Sequence, residues 1–143
     1  KPYLPENTRF LIVFRCPFRT VDSMLRDAQE SYDPHLAFKR PALLQTWIRT
    51  YTRLLRWAEN DPRFLLVDSD QILAGEGHSE LESFVECELD FTQIDPNVRR
   101  SKKTVTENNR LEAKAGRLHR LLQSVARQHL GERADRNGVI ATS

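Results

Sequence analysis

The chain has 143 residues, enough for one domain or part of one and long enough to bury a hydrophobic core. Hydrophobic residues make up 39% and charged residues 29%, a globular composition that excludes a disordered chain. Lys plus Arg number 22 and Asp plus Glu 20, so the net charge is +2, which excludes a uniformly basic nucleic-acid binder; no nucleic-acid partner is expected.

Two cysteines, Cys16 and Cys87, cannot make a disulfide scaffold and suit a reducing compartment. No apolar run approaches the 18 or so residues of a membrane span, and Lys1-Pro2-Tyr3-Leu4-Pro5 lacks a signal-peptide core. The expectation is a cytoplasmic protein with no membrane segment.

Phe10-Leu11-Ile12-Val13-Phe14 is an uninterrupted apolar run. Without alternation it predicts a strand buried on both faces, as in parallel sheets. Arg15-Cys16-Pro17 ends it. Val21, Met24, Leu25 and Ala28 then recur at helical spacing, with Thr20 as the candidate N-cap and Asp22 in the first turn. Ser31 to Arg40 contains Pro34 and reads as a loop. From Pro41, a first-turn residue by type, a long helix is predicted with Leu44, Trp47, Ile48, Tyr51, Leu55 and Ala58 on one stripe and Trp57 off it. Asn60-Asp61-Pro62 ends that helix. Phe64-Leu65-Leu66-Val67 is a second continuous apolar run, predicted to be a second buried strand. Strand, helix, helix, strand is a crossover and hence a parallel pair.

After Gly75 and Gly77, Ser79-x-x-Glu82 has the form of a capping box, opening a short helix with Leu81, Phe84, Val85 and Leu89 on one face. Asn109-x-x-Glu112 predicts the cap of a last helix carrying Leu111, Ala115, Leu118, Leu122 and Val125, stopped at Gly131, with 132–143 as a frayed tail. Two strands alone make a marginal sheet. The expectation is therefore an α/β domain, or the C-terminal part of one, completed by an earlier segment or by a second chain.

The chemistry concentrates in Arg15-Cys16-Pro17-Phe18-Arg19-Thr20-Val21-Asp22-Ser23. A buried strand delivers Arg15 at its C-terminal end, the edge where ligands bind in open α/β sheets. The helix that follows offers free N–H groups to an anion, Ser23 offers a hydroxyl, and Arg15 offers a planar fork suited to phosphate. The plainer reading leaves Arg15 as a solvated strand end and Ser23 as an ordinary helical residue.

This segment resembles the sulfotransferases that use 3′-phosphoadenosine-5′-phosphosulfate (PAPS), whose mid-chain motif is an apolar strand, Arg-Asp-Pro-Arg or a variant, and a serine eight residues after the first arginine. Arg15, Pro17, Arg19 and Ser23 keep those places, and Cys16 replaces the acid. The resemblance extends over about residues 9–105 through Trp47-x-x-x-Tyr51 and through Asp68-Ser69-Asp70-Gln71-Ile72-Leu73, where Asp70 matches the family's acid and Ser69 replaces its aromatic residue. It implies a P-loop NTPase-like parallel sheet with flanking helices, present in part. It also implies that Arg15 and Ser23 hold the 3′-phosphate of PAPS, with Arg19 a further cofactor contact, and that a sulfuryl group passes to a hydroxyl or amine of a small-molecule or glycan acceptor, leaving PAP. The basic stretch Arg99-Arg100-Ser101-Lys102-Lys103 corresponds to a late loop that closes over the nucleotide, so Arg99, Arg100 and Ser101 join the candidate contacts; a solvated loop is the other reading.

The family's glycine-rich phosphosulfate loop has no counterpart, because all 5 glycines follow Arg15 and none directly follows an apolar run. His35, His78, His119 and His129 give no basis for naming a general base. No His/Cys spacing suggests a metal. Two other expectations stand beside the sulfotransferase: a non-catalytic nucleotide-binding or interaction module that keeps only the 3′-phosphate site, and a P-loop kinase relative that takes ATP with magnesium.

Overall fold

A computed structural model describes residues 4–30, 39–95 and 109–141, with side chains as far as residue 136 in the last stretch. Among the described residues seven elements follow in order: β1 (Phe10–Phe14), α1 (Pro17–Glu30), α2 (Arg40–Asn60), β2 (Phe64–Asp68), α3 (Ser69–Leu73), α4 (His78–Val85) and α5 (Arg110–Ala141). The molecule is α/β: a small two-stranded parallel sheet with flanking helices. No helix among the described residues is long and apolar enough to cross a membrane.

The strands pair in the same direction with Phe10 opposite Phe64, Ile12 opposite Leu66 and Phe14 opposite Asp68. One face of this sheet carries the main core. Ile12, Phe14 and Leu66 pack there with Leu44, Trp47 and Leu55 of α2 and with Ala115, Leu122 and Ala126 of α5. On the other face, Leu65 and Val67 of β2 form a second cluster with Leu81 and Phe84 of α4. That helix covers β2 and stops short of β1. Leu11 and Val13 are consequently 40% and 52% exposed.

β1 is therefore buried on one face only, which corrects the expectation of burial on both. An all-apolar run states that neither face is dressed for water; it does not state that both are covered. β2, from Leu65 to Asp68, is buried throughout, as expected.

Pro17 is the first residue of α1, where its fixed φ suits the helix and its missing N–H costs nothing. Cys16 takes the cap position, because its carbonyl accepts from the Thr20 N–H at 3.0 Å and from the Thr20 hydroxyl at 3.0 Å. Thr20 is thus inside the helix rather than capping it. The four-residue shift moves Asp22 from the first turn to the second, with Ser23 beside it. Asp22 there pairs with Arg40 at the start of α2, whose Nε also lies 3.5 Å from the buried Glu112 of α5. One guanidinium fastens three helices.

α2 runs as expected, with Pro41 in its first turn and Asp61 at its end. Its Tyr51 hydroxyl donates to the Val13 carbonyl at 3.2 Å, and burial raises the Tyr51 pKa. Trp57 is 48% exposed, its ring tilted against Phe64. Ser79 and Glu82 do not form a capping box. α4 opens at His78 behind Gly77, whose φ of 74° is a left-handed conformation that favours glycine. A Cβ on Gly77 would also stand 2.9 Å from Leu130 Cδ1. Glu82 instead accepts from the Leu89 N–H at 3.0 Å, tying back the chain beyond the helix.

Asn109 does cap α5, accepting from the Glu112 N–H at 2.9 Å. Gly131 does not stop α5, which continues to Ala141 in place of the tail expected from 132 onward. A helical glycine costs only about 1 kcal/mol relative to alanine, and just beyond it the Arg133 guanidinium lies over the Phe84 ring, 4.5 Å from its centroid.

The unequal faces of β1 give a test. Phe14→Ala should cost about 3–5 kcal/mol by emptying a closed core site. Leu11→Thr and Val13→Thr should each stay within about 0.5 kcal/mol. Urea unfolding of the purified chain reads both, and equal losses would contradict the open face.

Candidate functional site at the carboxyl end of the strands

Parallel pairing brings the C-terminal ends of both strands to one edge. β1 ends there at Phe14 and hands the chain to Arg15; β2 ends beside it at Asp68 and hands the chain to Ser69-Asp70. Arg15 is half-buried in the two-residue link to α1. Arg19 and Ser23 follow at four-residue spacing on one face of that helix, Arg19 buried and Ser23 half-buried.

Arg19 joins the two strand ends. Its Nη1 donates to Asp70 Oδ1 at 3.3 Å, although the residues are 51 apart in sequence. The carboxylate that follows β2 thus holds an arginine of α1. Arg19 Nε is buried and has no hydrogen-bond partner among the described residues. A charged donor in that condition is costly unless something accepts from it.

Asp68, 3% exposed, is a site residue that the sequence reading passed over. Its Oδ1 accepts from the Asp70 N–H at 2.9 Å and caps α3; its Oδ2 accepts from Gln123 Nε2 of α5 at 3.1 Å. Its signal in the sequence is an acid closing an apolar run; the five-residue helix α3 that it caps is too short to show a periodicity. With Asp68 held from both sides, Asp70 is presented toward α1.

Arg99, Arg100 and Ser101 lie outside the described residues. Cys16 is buried and Cys87 exposed, both as free thiols. Among the described residues no three His, Cys, Asp or Glu side chains group as metal ligands.

His119 lies behind the site, its ring edge-on to Phe14 and Trp47 at centroid distances of 6.1 and 6.4 Å. It is an aromatic-core residue rather than a surface one. His78 stacks on Phe91 at 3.8 Å, and its Nε2–H donates to the Ile72 carbonyl at 2.9 Å. His129 is at the opposite end of the strands, lining a cavity of about 240 Å³ with Asp61, Phe64, Arg133 and Arg136. Burial lowers the His129 pKa, and its Nδ1 has no partner among the described residues.

No family model, curated protein or solved structure matches the chain.

Two predictions follow from these contacts. Asp70→Leu should cost about 1–3 kcal/mol because Arg19 loses its counter-charge. Arg19→Met combined with Asp70→Leu should recover to within about 1.5 kcal/mol of the parent. A double-mutant cycle in urea checks the pair, and additive losses would deny the coupling.

For His129 the folded pKa lies below the ordinary 6.5, so the unfolded chain takes up the proton first. Stability is then full above 6.5 and declines as the pH falls from 6.5 toward the folded value. His129→Gln should flatten the stability–pH curve in that window, as measured by thermal unfolding.

Proposed function

We propose that this chain carries the 3′-phosphoadenosine-binding part of a PAPS-dependent sulfotransferase with a P-loop NTPase-like sheet. Arg15 and Ser23 grip the 3′-phosphate, and Arg19 contributes from its unpaired Nε. The observation that carries this reading is the convergence at one strand edge. Arg15 follows the last residue of β1, α1 starts two residues later, and the buried guanidinium of Arg19 keeps a free donor at Nε while Nη1 meets Asp70. These residues suit a phosphate monoester, which needs several charge-assisted donors on one side. The Arg15…Ser23 spacing supplies the resemblance.

PAPS, when bound, provides a sulfuryl group that passes to a hydroxyl or amine of a small-molecule or glycan acceptor, leaving PAP. The chain's own residues bind and orient the nucleotide. Arg15 neutralises the ester phosphate with a permanent charge, and Ser23 donates a hydroxyl hydrogen bond. Asp70 keeps the Arg19 side chain from swinging out to solvent. In-line transfer of this kind rests mainly on positioning and charge neutralisation. The free thiols fit a reducing compartment such as the cytoplasm. The same edge also supports a non-catalytic module that holds only the 3′-phosphate, because Arg15, Arg19 and Ser23 all bind and none is suited to accept a proton at neutral pH.

Titration calorimetry with PAP tests the site. The parent chain should bind PAP, and Arg15→Ala should weaken it by about ten- to a hundredfold, the range for a hydrogen bond to a charged group. Equal affinity in the variant overturns the assignment, and a preference for magnesium-ATP over PAP moves it to the kinases. Turnover of PAPS by the chain that binds PAP separates the enzyme from the module.

A further inference from the structure

We infer that the groove between the middle of α2 and the N-terminal half of α5 is a docking site for an acidic amphipathic helix of a partner protein. The groove is open, with a volume of about 750 Å³, and its lining shares no residue with the strand-end site. Its floor is aliphatic, formed by Ile48 of α2 with Leu118 and Leu121 of α5; Leu121 is 48% exposed. Its rim is cationic, formed by Arg110, Lys114 and Arg117.

Among the described residues none of the three rim cations has an ion pair or hydrogen-bond partner, whereas Arg9, Arg19, Arg40 and Arg63 are all paired. Like charges one turn apart repel and weaken a helix slightly, so the row carries a standing cost that an anionic partner removes. The imbalance extends along both helices. α2 and α5 together hold eleven Lys and Arg against four Asp and Glu, in a chain whose net charge is +2.

The pattern selects the occupant. Rim positions separated by four and then three residues are about 6 and 4.5 Å apart along the axis, the repeat of one face of a facing helix. A helix with Glu or Asp at that spacing and leucines beside them meets both rim and floor, the helix-in-groove mode of recognition. Single-stranded nucleic acid would use aromatic stacking, and this floor has no aromatic ring. A membrane surface would need the apolar strip on a convex face, and here it is recessed between helices.

A second copy fits less well. Residues 64–95 contain nine carboxylates and no Lys or Arg, but Leu81 and Phe84 of α4 are buried under the sheet. The apolar strip beside α4 is Leu11 and Val13 of β1, a strand face, so that surface does not present leucines and acids at helical spacing.

The test uses the full chain and a fluorescein-labelled synthetic helix of about 18 residues, with Glu at the rim spacing and Leu on the adjoining positions. Anisotropy should show saturable binding that weakens as salt is raised. Replacing Arg110, Lys114 and Arg117 together by Glu should lower the affinity at least tenfold, about the loss expected for reversing close charge pairs. Glu at position 110 sits in the first turn of α5, where a negative charge favours the helix, and circular dichroism checks that the triple variant folds.

Leu121→Gln leaves the charge unchanged and should weaken the peptide severalfold, distinguishing a seated helix from diffuse attraction. Lys114→Ala gives a milder charge test should the triple variant unfold. The proposal is overturned if a scrambled peptide of equal composition binds as well, or if neither Leu121→Gln nor the charge variants change the affinity. It is equally overturned if an oligothymidylate or phosphatidylserine vesicles displace the peptide from the groove at lower concentration than the unlabelled peptide does. Self-association by sedimentation that the triple variant abolishes assigns the groove to a second copy instead.

Discussion

Five residues of β1 run alongside five of β2 in the same direction, and that register places Arg15 and Asp68 at neighbouring strand ends. A parallel pair cannot be closed by a tight turn, so the chain must cross over between the strands. α1 and α2 make that crossover. The first residue of the crossover is a guanidinium, its first helix carries a second guanidinium into the core, and the segment after β2 returns a carboxylate to meet it. An antiparallel arrangement would send Arg15 and Asp70 to opposite ends of the sheet.

The buried charges show how closely this end is specified. Arg19, Asp68 and Glu112 are the charged residues at 7%, 3% and 6% exposure. A buried charge needs several compensating bonds. Asp68 has a backbone N–H and a glutamine amide, and Glu112 lies against Arg40. Arg19 has Asp70 on one nitrogen and leaves another without a partner among the described residues. Asp68 is a finished structural device, because its acceptors are used within the fold. Arg19 is unfinished at the same edge, and a binding site is where such a deficit is filled by the ligand.

The pattern of apolar runs and stripes makes most of the architecture legible in the sequence. β1, β2 and α2 fall where continuous apolar runs, a helical stripe and two prolines put them, and Asn109 caps α5 as its spacing suggests. What escaped depended on partners distant in sequence. The exposure of Leu11 and Val13 is decided by how far α4 reaches across the sheet, not by the β1 sequence. Ser79 and Glu82 have capping-box spacing, but the left-handed turn at Gly77 starts the helix first and Glu82 finds Leu89. Gly131 resembles a stop, yet α5 continues beyond it. At the strand edge, the placement of Arg15 after β1 and of Arg19 and Ser23 four residues apart is legible in the sequence. Asp68 and Gln123 are not, because their pairing closes a gap of 55 residues that no local pattern encodes.

Net charge is a poor guide to how this molecule presents itself. A balance of +2 argues against a uniformly basic surface, yet the charges are sorted: the stretch from β2 to residue 95 has no Lys or Arg, while α2 and α5 are strongly cationic. The fold sets α4 of the acidic stretch over one face of the sheet and packs the two cationic helices on the other. At physiological salt the screening length is about 8 Å, shorter than the breadth of a small domain. A ligand near α2 and α5 therefore meets the local cations with little relief from the distant carboxylates. Composition averages over distances that the solvent does not, so the neutral total and a strongly polarised surface belong to the same molecule.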